Sequence, residues 1–174
     1  MREATDGMTS GRQAPHAPPL VLFVCSGNIC RSPMAAALAV ELARHGGLHI
    51  RAASAGTSAL VGLPAESTAG EAVAEVGVGL REHIASQVSF ELVRDASLVV
   101  ALTRAHAAWL RARHPAATNI ASFDELTGLG DVPDPYGSSL EDYRRVRDQL
   151  IAGMPRVLSA LVLKAGERAG PKNV

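Results

Sequence analysis

Four short segments rich in apolar residues recur along the chain. They occupy positions 20–24, 48–53, 97–102 and 119–123, and the first is the unbroken run LVLFV. Runs that do not alternate with polar residues are typical of strands buried on both faces of a parallel sheet. The pattern therefore predicts four strands separated by longer stretches of chain.

Between these segments, apolar residues recur every three or four positions, as they do on one face of a helix. The first such stretch opens at Pro33 and places Met34, Leu38 and Leu42 on one side, before Gly46 ends it. Further helices are predicted over 64–76, 87–95 and 103–113, and from 140 toward the end of the chain.

Strands that alternate with helices imply right-handed crossovers. The predicted fold class is therefore α/β, a doubly wound, four-stranded parallel sheet flanked by helices. The last helix, with Ser139 as its cap and Pro155 as a kink or restart, is expected to close the second side of the sheet. Ligand sites in such sheets lie at the carboxyl ends of the strands.

The segment between the first strand and the first helix reads Cys-Ser-Gly-Asn-Ile-Cys-Arg-Ser-Pro. Gly27 and Asn28 tolerate positive φ, so the loop can curl with its N–H groups pointing inward. Such a nest at a helix N-terminus binds anions, and the Arg31 fork matches two phosphate oxygens. The expected phosphate-binding residues are Ser26, Gly27, Asn28, Ile29, Cys30, Arg31 and Ser32.

The same positive field favours the thiolate form of Cys25, which can then attack phosphorus. Ser32 is expected to cap the helix and to hydrogen-bond to that thiolate. The simpler alternative, an ordinary buried thiol at the end of a strand, leaves Gly27, Asn28 and Arg31 unexplained.

Cleavage of a phosphate ester also needs an acid that protonates the leaving oxygen. Four carboxylates follow the last predicted strand, namely Asp124, Glu125, Asp131 and Asp134. Asp134 is the preferred candidate because Pro135 stiffens its loop and Tyr136 can line the mouth of a pocket. Asp131 is the reserve candidate.

Composition narrows the classes of function that remain. The 174 residues suit one domain, predicted over 20–165, with a disordered leader at 1–19 and a disordered tail at 166–174. Seventeen basic and 17 acidic side chains balance, which disfavours a nucleic-acid partner. The sequence contains neither a secretion signal nor an apolar run of membrane-spanning length. Two cysteines, both in the loop, indicate a reducing cytoplasm, and a monomer is expected.

The segment from Cys25 to Pro33 resembles the active-site loop of the low-molecular-weight protein tyrosine phosphatases. The resemblance extends from about position 20 to the last helix and includes the segments 54–57 and 134–137. It implies that Ser54 hydrogen-bonds to Asn28, that His83 braces the same network, and that Asp134 is the acid.

That resemblance and the loop chemistry predict a two-step hydrolysis of phosphotyrosine. Cys25 displaces the leaving group while Asp134 donates a proton, and water then attacks the cysteinyl-phosphate. Neither a cofactor nor a metal is expected, because the loop and Arg31 neutralise the phosphoryl oxygens. A zinc site of Cys25, Cys30 and His83 has unconvincing spacing.

Three positions depart from the family pattern or bear on the substrate. Leu60 lies where members usually carry an aromatic residue, so a phosphotyrosine ring would rely on Tyr136 at the mouth. Ser86 lies where members often carry Arg. The family's arginine phosphatases carry Thr at the position of Ile29, so Ile29 favours phosphotyrosine as the substrate.

Two other functions stay open, as does the role of the second cysteine. A mycothiol- or glutathione-coupled arsenate reductase would share the loop, and a non-catalytic phosphate-binding module would need neither thiol nor acid. Cys30 either traps an oxidised Cys25 as a disulfide or packs under the loop.

Four polar residues of the helix predicted over 103–113 and its end are expected on the solvated surface, namely His106, Arg111, Arg113 and His114.

Overall fold

The computed structural model describes residues 17–169 and contains one parallel sheet. Its strands are β1 (Leu20–Cys25), β2 (Arg51–Gly56), β3 (Leu98–Ala101) and β4 (Ile120–Ser122), in the order β2-β1-β3-β4. Val24 at the centre of the sheet pairs with Ala55 on one side and Ala101 on the other. The predicted four-stranded parallel sheet is confirmed.

Six helices are found in the described residues. They are α1 (Arg31–His45), α2 (Ser67–Ala74), α3 (Phe90–Asp95), α4 (Arg104–Arg113), α5 (Phe123–Thr127) and α6 (Leu140–Ala169). The five-residue α5 was not predicted, because one turn is too short to show a helical period. A capping box at its start, formed by Ser122 and Glu125, stabilises it.

Two faces of the sheet carry separate apolar layers. On β1, Val21 and Phe23 point to the layer that contains residues of α1, α2 and α6. Leu22 and Val24 point to the opposite layer, with residues of α3 and α4. Since α1 and α4 connect strands that progress in opposite directions across the sheet, right-handed crossovers place them on opposite faces.

This arrangement corrects the position predicted for the last helix. α6 packs beside α1 instead of closing the second side, which α3 and α4 already cover. α6 also continues through Pro155 without a break, so the predicted restart does not occur. It reaches Ala169, so the chain is helical at 166–169, where a tail was expected to begin. Positions 1–16 and 170–174 of the expected leader and tail lie outside the described residues.

The start of α1 also differs from the prediction. The helix begins at Arg31, and its N-cap position is Cys30, without a side-chain cap. Ser32 therefore lies inside the first turn, and its hydroxyl is engaged by Cys25 and Asn28.

Within residues 17–169, no helix is both long and apolar enough to cross a membrane.

Candidate active site

The loop after β1 forms the floor of a pocket at the carboxyl ends of the strands. Cys25 ends β1 and Arg31 begins α1, so two regular elements fix the ends of the intervening five residues. The pocket is lined by Cys25, Ser26, Gly27, Asn28, Ile29, Cys30, Arg31, Ser58, Leu60, Asp134 and Tyr136. Local sequence order explains the loop residues, but Ser58, Leu60, Asp134 and Tyr136 reach the pocket only through folding.

Asn28 sets the shape of the loop. Its φ of +57° is the one left-handed value of a non-glycine residue in the described chain, and Asn tolerates this region because its side chain can bond locally. Gly27 was expected to share this role, but its φ is not in that region. A Cβ at Gly27 would lie 3.6 Å from Ile29 Cγ1, an ordinary contact.

The buried side chain of Asn28 makes three hydrogen bonds within the network around the loop. Its Nδ2 donates to Ser32 Oγ at 2.8 Å and to Ser54 Oγ at 2.9 Å. Its Oδ1 accepts from the backbone N–H of Ser86 at 2.8 Å. Because this last donor is main chain, the bond does not depend on which side chain stands at position 86.

His83 acts on the backbone of the same residue. Its Nε2 lies 2.7 Å from the carbonyl oxygen of Asn28. A carbonyl can only accept, so Nε2 carries the proton and donates. The structure thus brings both supporting residues expected from the resemblance, Ser54 and His83, into contact with Asn28.

A second backbone segment holds the outer side of the loop. The N–H groups of Thr57, Ser58 and Leu60 donate to the carbonyls of positions 25, 26 and 27 at 2.9, 3.1 and 3.0 Å. This close approach requires Gly56, where a Cβ would lie 2.3 Å from the carbonyl oxygen of Ser26. No role was predicted for Gly56, although an isolated glycine at the end of a strand is a signal for close backbone approach.

The thiol of Cys25 faces a hydroxyl whose direction is determined by its neighbours. Cys25 Sγ lies 3.0 Å from Ser32 Oγ. Since Ser32 Oγ accepts from the Asn28 amide, its own proton is available to one of two acceptors, Cys25 Sγ or the carbonyl oxygen of Ala55 at 3.4 Å. The sulfur is the closer of the two. This donor would stabilise a thiolate.

Arg31 lies almost wholly buried at the base of the pocket, with 5 % of its surface exposed. Its Nη1 donates to the carbonyl of Val132 at 3.3 Å, and its Nη2 donates to Asp134 Oδ2 at 2.7 Å. Nε is buried and has no hydrogen-bond partner among the described residues. A buried guanidinium N–H without a partner is costly, and an anion bound against the guanidinium would supply one.

The structure separates the four candidate acids. Asp134 lines the pocket, and half of its side chain is exposed. Asp131 instead accepts the backbone N–H of Arg104 at 2.8 Å, and Asp124 pairs with the same arginine's side chain. Glu125 is engaged in the capping box of α5. Only Asp134 of the four contributes to the pocket lining, so Asp131 is no longer a candidate.

Comparison with known families agrees with this geometry. The model of the low molecular weight phosphotyrosine protein phosphatase family matches residues 20–166. The chain belongs to this family.

Relatives of this phosphatase carry two kinds of name. The chain is 38% identical over 133 residues to the protein-arginine-phosphatase of Bacillus subtilis, and the match covers 75% of this chain and 88% of the relative. It is 36% identical to the probable low molecular weight protein-tyrosine-phosphatase EpsP of Ralstonia nicotianae, covering 77% and 90%. The crystal structure of a low molecular weight protein tyrosine phosphatase from T. tengcongensis superposes with a TM-score of 0.77 at 37% identity, covering 81% and 98%.

His106 of this phosphatase was wrongly expected on the surface. It is 8 % exposed and lies between Ser26 of the loop and Thr103, the N-cap of α4. Burial, together with the nearby charge of Arg31, lowers the pKa of His106 to about 4, so the ring is neutral at pH 7. Its position four residues before the buried Leu110 was the periodic signal that could have revealed the inward orientation.

Cys30 lies in the apolar layer beneath the loop. Its Sγ is 3.4 Å from the hydroxyl of the buried Tyr143 on α6, and burial raises the pKa of Cys30 to about 11. At neutral pH it is therefore a protonated thiol with a packing contact.

Within residues 17–169, no three His, Cys, Asp or Glu side chains cluster in a way that could hold a metal ion.

Proposed function

We propose that this member of the phosphatase family hydrolyses phosphotyrosine in proteins through a cysteinyl-phosphate intermediate. One observation carries the proposal. Cys25, Arg31 and Asp134 meet in a single pocket, whose floor is a loop with Asn28 in a left-handed conformation. Together they supply a nucleophile, an anion-binding fork and an acid within reach of one phosphate ester.

In the first step, the phosphomonoester dianion binds to the loop N–H groups and Arg31. The Cys25 thiolate attacks phosphorus in line with the leaving group, so the new S–P bond forms as the P–O bond breaks. Protonated Asp134 gives its proton to the departing oxygen. Substrate must therefore take over the guanidinium N–H that Asp134 accepts in this structure.

In the second step, water attacks the phosphorus of the cysteinyl-phosphate. Ionised Asp134 removes a proton from that water, and the Cys25 thiolate leaves. The hydroxyl of Ser32, whose oxygen lies 3.0 Å from Sγ, donates to the departing thiolate and stabilises it. The loop N–H groups and Arg31 supply positive charge at the phosphoryl oxygens throughout.

The walls of the pocket support phosphotyrosine over phosphoarginine. Tyr136 and Leu60 are 60 % and 44 % exposed at the mouth, where an aromatic ring of the substrate would lie. Ile29 lines the same pocket and offers no acceptor for the guanidinium N–H groups of phosphoarginine. Relatives bear both names, so the choice between the two substrates rests on this wall in our proposal.

The test is hydrolysis of para-nitrophenyl phosphate, a phosphotyrosine peptide and a phosphoarginine peptide, with EDTA present. We expect turnover of the first two, abolished in Cys25→Ser and reduced in Asp134→Ala. Preferred hydrolysis of phosphoarginine would overturn the proposed substrate, and absence of any turnover would overturn the reaction. In Ile29→Thr, which adds an acceptor, the ratio of phosphoarginine to phosphotyrosine hydrolysis should rise.

No observation in the described part of the chain favours either alternative, the thiol-coupled arsenate reductase or the non-catalytic module. A phosphoprotein as substrate, a monomer and a reducing cytoplasm complete the proposal. The last rests on the two unpaired thiols. Light scattering at several concentrations tests the monomer directly.

A further inference from the structure

Three polar side chains form a line from the start of α4 to the loop of the pocket. Thr103 Oγ1 lies 2.8 Å from His106 Nδ1, and His106 Nε2 lies 2.9 Å from Ser26 Oγ. Thr103 Oγ1 also accepts the backbone N–H of His106 at 3.1 Å, as the cap of α4. Ser26 directly follows Cys25 and lines the pocket.

Counting protons along this line leaves two arrangements for a neutral ring. In the first, the Thr103 hydroxyl donates to Nδ1 and the Nε2–H donates to Ser26 Oγ. In the second, Nδ1–H donates to Thr103, and Ser26 donates to Nε2. The two differ at Ser26, whose hydroxyl proton faces the pocket only in the first.

An anion in the pocket selects between the two arrangements. In the second, Ser26 would present lone pairs to the anion, which is repulsive. In the first, every proton of the line has an acceptor once the anion binds. The backbone bond to Thr103 Oγ1 is compatible with both, because a hydroxyl accepts twice.

We propose that the Ser26 hydroxyl donates a hydrogen bond to the phosphoryl group bound in the loop, and that His106 is the positioning residue that turns this hydroxyl toward the pocket. The effect on turnover rests on the proposed function. The hydrogen bond itself comes from the Ser26 side chain and is additional to those from the backbone N–H groups of the loop. It also ties the loop to the N-terminus of α4, a contact with a helix other than the one that the loop itself begins.

Burial of the imidazole fits this role. Arg31 stands nearby, and Asp131 and Asp134 are the other charged groups that act on the ring. With the ring neutral, Nε2 is a single directed donor, and it adds no charge beside Arg31. A hydrogen bond to a charged group that is made in the transition state affects turnover by about tenfold or more.

A double-mutant cycle of Ser26→Ala and His106→Ala tests the inference. We expect each single variant to lower kcat/KM for para-nitrophenyl phosphate about tenfold and to weaken inhibition by inorganic phosphate. In the Ser26→Ala background, His106→Ala should cost little more, because the hydroxyl on which it acts is gone. The inference would be overturned if His106→Ala lowered kcat/KM as much in the Ser26→Ala background as in the wild-type background. It would also be overturned if neither single variant lost activity.

Two conservative variants separate positioning from packing. His106→Gln keeps an N–H near the place of Nε2 and should restore most of the activity. His106→Asn reaches only toward the Nδ1 contact with Thr103 and should not. Equal activity of the two would overturn the inference, and both keep a polar residue in place if His106→Ala folds poorly. His114→Ala, at the other end of α4, is the matched control and should turn over like wild type.

Calorimetric binding of inorganic phosphate distinguishes failure of this inference from failure of the proposed function. If wild type binds phosphate without turnover, the proposed reaction fails, and the same cycle measured on the phosphate Kd still decides the role of His106. If wild type turns over substrate and the cycle is additive, the reaction stands and the inference fails.

Discussion

Arg31 and Asp134, 103 positions apart in the chain, are joined by a hydrogen bond of 2.7 Å between Nη2 and Oδ2. The arginine side chain is almost buried, whereas half of the carboxylate is exposed. The group proposed to bind the phosphate is therefore held by the group proposed to protonate the leaving oxygen. These two proposed roles predict that binding of substrate and release of the acid are coupled through this one guanidinium.

The first prediction follows from that competition. Asp134→Ala should lower kcat for para-nitrophenyl phosphate by about 10²–10³-fold, since the leaving oxygen loses its proton donor. Inorganic phosphate should bind at least as tightly as in wild type, because Arg31 no longer has to leave the carboxylate. Asp131→Asn is the control and should keep the activity. Weaker phosphate binding in Asp134→Ala would contradict the proposed competition.

The second prediction concerns the strained backbone and the network at Asn28. Asn28→Ala should lower the free energy of unfolding by about 3 kcal/mol, since the bonds to Ser32, Ser54 and Ser86 are lost at a left-handed φ. Asn28→Gly loses the same bonds but tolerates the φ, so it should be more stable than Asn28→Ala by about 1 kcal/mol. Urea unfolding measures both, and equal stabilities would show that the φ carries no strain.

The third prediction tests the close approach at Gly56. Gly56→Ala places a methyl group against the carbonyl oxygen of Ser26, so it should cost about 1–3 kcal/mol of stability and weaken phosphate binding. Gly70→Ala in α2 is the matched control, because nothing lies within 4 Å of the added Cβ. That control should be neutral or stabilising by up to about 1 kcal/mol. Similar phosphate affinities in the two variants would contradict the role of Gly56.

The fourth prediction uses the low pKa of His106, about 4 in the folded chain against an ordinary 6.5. Between these values the unfolded chain binds a proton that the folded chain does not, so folding is progressively destabilised as the pH falls from 6.5 to 4. His106→Gln removes this term. When the pH is lowered from 7 to 4, the free energy of unfolding of His106→Gln minus that of wild type should increase by on the order of 2 kcal/mol. Urea unfolding at the two pH values checks this, and a pH-independent difference would contradict it.

The fifth prediction concerns Cys30, whose redox role stays a prediction. If Cys30 traps the oxidised form of Cys25, wild type inactivated by peroxide should recover activity with added thiol, and Cys30→Ser should not. The high pKa of Cys30 and its contact with Tyr143 make packing the competing role. Equal recovery of wild type and Cys30→Ser would contradict the redox role and leave packing as the role of Cys30.

Much of this protein is determined locally. An apolar run, a Gly-Asn pair, an arginine and the start of a helix are consecutive in the sequence, so the residues of the phosphate loop can be identified locally. Its conformation is then held by contacts from Ser54, from Ser86 and from the segment that follows Gly56. The apolar runs likewise predict four strands, and the alternation with helices predicts their parallel pairing. The roles of Ser54 and His83 came from the family resemblance, since neither residue has a local signal.

What only the tertiary structure decided are contacts between residues far apart in the chain. Spacing could not tell which of four carboxylates reaches Arg31, because that depends on how the loop before α6 passes over the pocket. Nor could it show that α6 packs beside α1, since the face is determined by the direction in which successive crossovers progress across the sheet. His106 was misjudged for the same reason: a polar side chain is buried only where folding supplies its partners, and here these are Ser26 and Thr103.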